Sequence, residues 1–378
     1  MRRTLAAAAV LVGLGAGGAG AQDSVLIADV IELSGGGATV GTNWKNGVDL
    51  AASRINAEGG ILGRKVVVEH YDTQSNPAVS KAVLQKALDE DPFVVLGPIY
   101  SSSTKVNMVV TQRAEVPQIV GSEASDITEQ GNPWVFRTSF GQAAGMPKLA
   151  NYMRDGLGAR TVDIVWVNND FGKGGRDAMV AELEKRGIEV GADLSTEVQQ
   201  VDFAPDVVQV RNSGADAVFV YLHEEESARF LKELRKQGYE RPVIGETTLM
   251  NQKVIDLAGE AVEGVRGHVG LSADAPLESV AAMAEAYEKA FGAKTDHNGI
   301  KGYIALHIVK EIAERTGGFD RAAFGEALRG ATITTADEPG VLMDVTFDEK
   351  GDIDRESFLV EVENGQQVIT EVLPKLGG

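Results

Sequence analysis

The chain has 378 residues, no cysteine, and 55 acidic against 36 basic side chains, for a formal net charge of −19. Without cysteine there is no disulfide framework, thiolate metal site, catalytic thiol or lipidated cysteine, and the acidic balance argues against a nucleic-acid partner. At this length two core-bearing domains of ~100–200 residues each are expected, beneath an acidic, solvated surface suited to an exported protein.

The chain opens with Met1-Arg2-Arg3, an apolar stretch over 5–14 and the small residues Ala19-Gly20-Ala21, the pattern of a secretory signal peptide cleaved after Ala21. It is shorter than the ~20 apolar residues of a membrane span, so a soluble periplasmic protein is expected. Gly13 to Gly18 satisfies G-x-G-x-x-G, but no strand precedes it and no phosphate-binding helix follows it, so the match carries no nucleotide site.

A strand is predicted at 25–30 and a helix at 43–56, where Trp44, Gly47, Val48, Ala51 and Ile55 share one stripe. Gly59 or Gly60 then supplies the positive φ that ends the helix. A strand follows at 66–71, and Asn76-Pro77 caps a helix running to 88. The cycle continues with a strand at 93–96, a helix at 104–114 and a strand at 117–120. A second cycle places helices at 146–155, 174–186, 204–212 and 225–237, with strands at 162–167, 188–191, 217–222 and 242–244. Strands alternating with helices imply parallel sheets covered on both faces. The last third differs: helices at 277–291, 299–316 and 321–328, then β segments at 341–347, 358–362 and 368–372, with turns at 348–351 and Asn364-Gly365.

Three stretches carry a resemblance to one family: Arg54-Ile55-Asn56-Ala57-Glu58-Gly59-Gly60-Ile61-Leu62-Gly63, Gly97-Pro98-Ile99-Tyr100-Ser101-Ser102-Ser103-Thr104 and Phe347-Asp348-Glu349-Lys350-Gly351-Asp352. The chain resembles the leucine/isoleucine/valine-binding family of type I periplasmic solute receptors that serve ABC importers. The resemblance implies an α/β fold of two Rossmann-like parallel-sheet lobes joined by a three-strand hinge. Crossings then fall near 138–141, 271–274 and 339–344, giving one lobe of 22–140 plus 272–340 and another of 141–271 plus 341–378. It also implies a monomer that captures a small solute between its lobes and presents it to a permease/ATPase complex at the inner membrane.

Ligands of open parallel sheets sit outside the carboxyl ends of strands, where helix N-termini offer free N–H groups. Tyr100 and Ser101 stand at such a strand exit, and by resemblance Ser101 contacts a ligand carboxylate. At the next exit, Gly121-Ser122-Glu123-Ala124-Ser125-Asp126 lacks the family's threonine, leaving Ser122 or Ser125 to complete the cradle with Ala124, while Glu123 intrudes. Phe171 matches an aromatic residue that closes over the ligand, without the frequent tyrosine hydroxyl. His223 and Glu224 occupy a further exit; with Ser227 in place of a second histidine they form no H-E-x-x-H zinc motif. Where relatives carry acids for the ligand ammonium, this chain has Gln142 and Thr247, with Glu246 beside the latter. The ligand is therefore open among an amino acid bound in altered geometry, an amide or urea-like solute, and an aromatic carboxylate. No nucleophile elbow, Walker loop or metal-spaced cluster is present, so neither enzyme activity, nor a cofactor, nor a metal is expected. A sensor of the same fold with a membrane signalling partner is the alternative role.

Overall fold

The computed structural model describes residues 24–376. The expected leader and its cleavage point lie outside the described residues. The strands, in chain order, are β1 (Ser24–Ile31), β2 (Lys65–Asp72), β3 (Val94–Leu96), β4 (Gln118–Val120), β5 (Val135–Arg137), β6 (Thr161–Val167), β7 (Glu189–Thr196), β8 (Ala217–Tyr221), β9 (Val243–Gly245), β10 (Arg266–Val269), β11 (Thr332–Ile333), β12 (Val345–Phe347), β13 (Ile353–Asp354), β14 (Ser357–Glu363) and β15 (Gln366–Leu373). They form a five-stranded sheet ordered β2-β1-β3-β4-β5, a seven-stranded sheet ordered β15-β14-β10-β9-β8-β6-β7 and a small three-stranded sheet ordered β11-β12-β13.

All pairings of the first sheet are parallel. The second is parallel from β7 to β10 and is extended by the antiparallel β14 and β15. Burial explains the patterns: β8, covered on both faces, is the unbroken buried run AVFVY, whereas the edge strand β7 alternates along its length. These two sheets with their flanking helices are the two lobes.

Several helices begin earlier than the apolar spacing predicts, among them Ser101–Ala114, Gln142–Asn151 and Asp170–Lys185 by about a turn and Glu224–Lys236 by a single residue. Their first turns are small or polar and leave no amphipathic signature, yet those turns face the groove between the lobes. The short β5 and β10 were not predicted, since three or four residues give too little alternation to read.

The chain passes between the sheets after β5, after β10 and again between β13 and β14. The third passage lies later than the resemblance places it, and residues 341–354 do not join the second lobe. β12 pairs with β11, the Phe347 ring meets Phe136 of the first sheet edge-on at 6.3 Å, and the Arg137 N–H donates to the Gly351 carbonyl at 3.0 Å. The small sheet thus caps the end of the first lobe.

Two 20-residue helices, Ala38–Ala57 and His297–Thr316, pack together in that lobe. Glycines permit the contact: a Cβ on Gly47 would lie 1.9 Å from the Gly299 carbonyl oxygen, and one on Gly302 would lie 2.4 Å from that of Trp44. At the exit of the first of these helices Gly59 and Gly60 both have positive φ, +109° and +80°, and a Cβ on Gly60 would strike the Arg64 carbonyl oxygen. Among the described residues no helix is long and apolar enough to cross a membrane.

Candidate ligand-binding cleft

The cleft is built from strand exits and the helix N-termini that follow them. Tyr100 is the N-cap of helix Ser101–Ala114, and the buried carboxylate of Glu32 fixes its backbone by accepting from the N–H groups of Ile99 and Tyr100 at 3.1 and 3.2 Å. Burial pushes the Glu32 carboxyl up to about 7. Ser101 is buried, and its Oγ accepts from the Ala124 N–H at 3.3 Å, joining the two strand exits of the first lobe. Arg137, fully buried, holds the second exit from behind by donating to the carbonyls of Ser122 and Ala124 at 3.2 and 3.1 Å.

Across the groove four rings stack with interplanar angles of 16–20°: Tyr100 on His223 at 4.8 Å, His223 on Phe171 at 5.3 Å and Phe171 on Tyr221 at 4.2 Å. Tyr100 belongs to the first lobe and the other three to the second, so one ring contact spans the groove. Burial lowers the His223 imidazole to about 4 and leaves it neutral at neutral pH. Its Nε2 lies 2.8 Å from the Asn169 amide.

Three buried acids converge here, and their partners differ. Glu123 meets the Lys301 ammonium at 3.0 Å; burial raises its carboxyl, and the lysine charge offsets only part of that rise. Glu246 is also pushed up by burial, but His268 at 2.5 Å and the N–H and hydroxyl of Thr247 at 2.7 and 2.8 Å outweigh it and hold the carboxyl below its ordinary value. Glu224 has only its own backbone N–H. Burial, aided by the charges of Asp296, Glu226 and Glu123, raises its carboxyl to about 8.

The sequence-derived candidates therefore separate. Tyr100, Ser101, Glu123, Phe171, His223 and Glu224 line a cavity of ≈30 Å³ in the cleft, together with Val40, Ile99, Thr248, His297 and Asn298. Ser122 does not: its hydroxyl donates to the Pro98 carbonyl at 3.0 Å and bonds the Thr104 hydroxyl. Ser125 offers its N–H to Gln142 Oε1 at 3.3 Å, and Ala124 is engaged by Ser101 and Arg137. Gln142 is saturated, since its Nε2 donates to the Phe171 carbonyl at 2.8 Å and to the Tyr221 hydroxyl at 3.1 Å. It ties the lobes together and has nothing left to offer a solute. Glu246 is likewise occupied, by Thr247 and by Nδ1 of His268. Of the three buried acids, Glu224 alone has no partner on another of the described residues.

The sequence model of the periplasmic binding protein family matches residues 24–367. The chain belongs to that family. This periplasmic binding protein is 25% identical over 338 residues to the Leu/Ile/Val/Thr-binding protein of Salmonella typhimurium, covering 88% of this chain and 89% of the relative. It is also 25% identical to the leucine-, isoleucine-, valine-, threonine- and alanine-binding protein of Pseudomonas aeruginosa, covering 93% of each. Among solved structures, a leucine-binding protein of Thermotoga maritima superposes with a TM-score of 0.85 at 21% identity, covering 93% of this chain and 99% of the other. An ABC-transporter solute-binding protein of R. palustris in complex with benzoate also reaches 0.85, at 19% identity and 93% and 97% coverage. These two likenesses establish the shared fold.

Lys301, His297, Asn298, Tyr221 and Thr248 of this binding protein escaped the sequence reading. A signal for Lys301 was present: it is a lone charge in the apolar run Ile300-Lys301-Gly302-Tyr303-Ile304-Ala305-Leu306, every residue of which is buried. A lysine on such a helix face needs a partner within reach.

Proposed function

We propose that this protein is the periplasmic substrate-binding component of an ABC importer and that its ligand is an α-amino acid with an aliphatic side chain. The observation that carries the reading is Glu224, a buried carboxyl in the cleft that no other described residue engages, in one cavity with the helix N-terminus at Ser101. An acceptor on one wall and unpaired N–H donors on the other suit a zwitterion, with its ammonium at Glu224 and its carboxylate at Ser101. Val40, Ile99 and Phe171 supply apolar surface for the side chain, and the curated relatives named above bind leucine, isoleucine and valine. In this reading the protein is a monomer whose lobes, 24–140 with 272–354 and 141–271 with 357–376, close on the solute by hinge motion and present the closed form to a permease/ATPase complex.

A second reading is favoured by the ring stack. A planar aromatic carboxylate sliding between Tyr100 and His223 would extend the stack and leave Glu224 unused. A thermal-shift comparison of L-leucine, L-isoleucine, L-valine, urea and benzoate separates the two. A ligand at about 100 times its dissociation constant adds roughly 2.7 kcal/mol to the folded state. Stabilisation by benzoate alone would replace the amino-acid reading with the aromatic one.

A further inference from the structure

Behind the cleft lies a larger cavity of ≈270 Å³, lined by Val269, Leu271 and Ala284 within and by Asp274, Glu285 and Glu288 at its mouth, with Lys294 the single base among its lining residues. His297 lines this cavity and the cleft alike. The residue is 9% exposed. Its ring has no hydrogen-bond partner among the described residues, and burial, with the nearby Lys301 charge, keeps it neutral. His297 is thus the one residue common to the linings of the small compartment and the large one.

We propose that the larger cavity is a distal compartment of the ligand site, closed off by His297, and that His297 sets the greatest side-chain length this protein accepts. The inference rests on the amino-acid reading above. The chemistry of the compartment follows from its lining: an aliphatic stem would run along Val269 and Leu271, and a terminal cation would end among the carboxylates of Asp274, Glu285 and Glu288. Side chains of the arginine or lysine type fit that order of surfaces; the aliphatic ligands of the cleft stop at the imidazole.

Replacing the ring leaves the local fold intact. His297 is the first residue of its helix, whose cap is the Asp296 carboxylate accepting from the N–H groups of Asn298 and Gly299 at 2.8 and 3.1 Å, and His297 has no part in those bonds. Removing it also creates no unpaired polar partner, because nothing is bonded to it.

The test is calorimetry with L-leucine and L-arginine on the parent protein, His297→Ala and His297→Leu. His297→Ala is expected to bind arginine about tenfold or more tighter than the parent does, and to shift the arginine-to-leucine affinity ratio about tenfold or more toward arginine. His297→Leu, which keeps the wall, should show no gain. Adding Glu285→Gln and Glu288→Gln to His297→Ala should remove the gain, and raised salt should weaken it, since those carboxylates are at the surface. Unchanged arginine affinity in a His297→Ala protein that still binds leucine overturns the proposal and spares the functional reading. A parent that binds neither amino acid overturns the functional reading and the proposal with it. A His297→Ala protein that melts far below the parent overturns the proposal too, because the ring would then be a structural support.

Discussion

Lys301→Met is the most demanding perturbation the cleft offers. Lys301 and Glu123 are each 7% exposed and stand 3.0 Å apart. At an effective dielectric constant of ~20, two unit charges at 3 Å attract by about 5.5 kcal/mol, and removing one member of a buried pair costs about 3–5 kcal/mol because the other charge is stranded. For a lobe of this size each 1 kcal/mol moves the melting temperature by about 2–4 °C, so a loss of about 6–20 °C is expected at pH 8. The penalty should shrink at pH 5. Burial already raises the Glu123 carboxyl, and without Lys301 it rises further. A carboxyl raised on folding favours the folded state at low pH and loses that advantage as pH climbs through the folded-state value, so the variant can shed the stranded charge by binding a proton in acid. Thermal melts of the apo protein at both pH values check this, with Lys301→Met/Glu123→Leu expected to recover most of the loss. A single variant that melts within about 2 °C of the parent at pH 8, or that loses equally at both pH values, refutes the pairing argument.

Glu224→Gln should weaken leucine binding roughly ten- to a hundredfold, the value of about 1.5–3 kcal/mol for a hydrogen bond to a charged group. Because burial raises Glu224 to about 8 and the ammonium needs the ionised form, parent affinity should climb from pH 6 to pH 8; calorimetry showing the same slope in Glu224→Gln removes the assignment. Ser101→Ala should lower affinity while leaving the apo melting temperature nearly unchanged, and an early-melting variant that binds normally would make this serine a structural cap only. Gly302→Ala forces a Cβ to 2.4 Å from the Trp44 carbonyl oxygen, and the overpacking should cost about 1–3 kcal/mol in urea unfolding; full stability would mean the helices separate freely. For His70, burial lowers the imidazole, but its hydrogen bonds to the carboxylates of Asp29 at 2.7 Å and Asp49 at 2.9 Å outweigh it and lift it to about 9. Its contribution is complete below the ordinary histidine value near 6.5 and disappears as pH rises through 9, so the parent should lose melting temperature across that window and His70→Gln should not.

The alternation of apolar strands and amphipathic helices made the two parallel sheets legible, and the glycine exit at Gly59-Gly60 was readable letter by letter. Legibility failed at the groove for one physical reason. Helix first turns are polar, so Ser101, Gln142 and Asp170 gave no periodic signal and their helices seemed to begin a turn late. Residue type alone also could not say which acid had a partner. Glu246 and Glu224 look equivalent in the sequence; His268 and Thr247, distant and adjacent respectively, make them opposites. The third passage was misplaced because 345–354 hold only short strands, whose attachment to Phe136 and Arg137 is a tertiary fact.

Lys105 reaches from the helix of Tyr100 and Ser101 to Asp126 at 2.7 Å in its own lobe and to Asp170 at 3.0 Å in the other. All three side chains are partly open to solvent. The attraction that helps hold the lips together is therefore felt through water and dissolved ions, with a Debye length of ≈10 Å at 0.1 M salt that shrinks to ≈3 Å at 1 M. Gln142, uncharged and enclosed, is indifferent to the same change. On the hinge motion proposed above, a rise in the ionic strength of the surrounding fluid loosens this latch at the lips and leaves the enclosed Gln142 tie as it was.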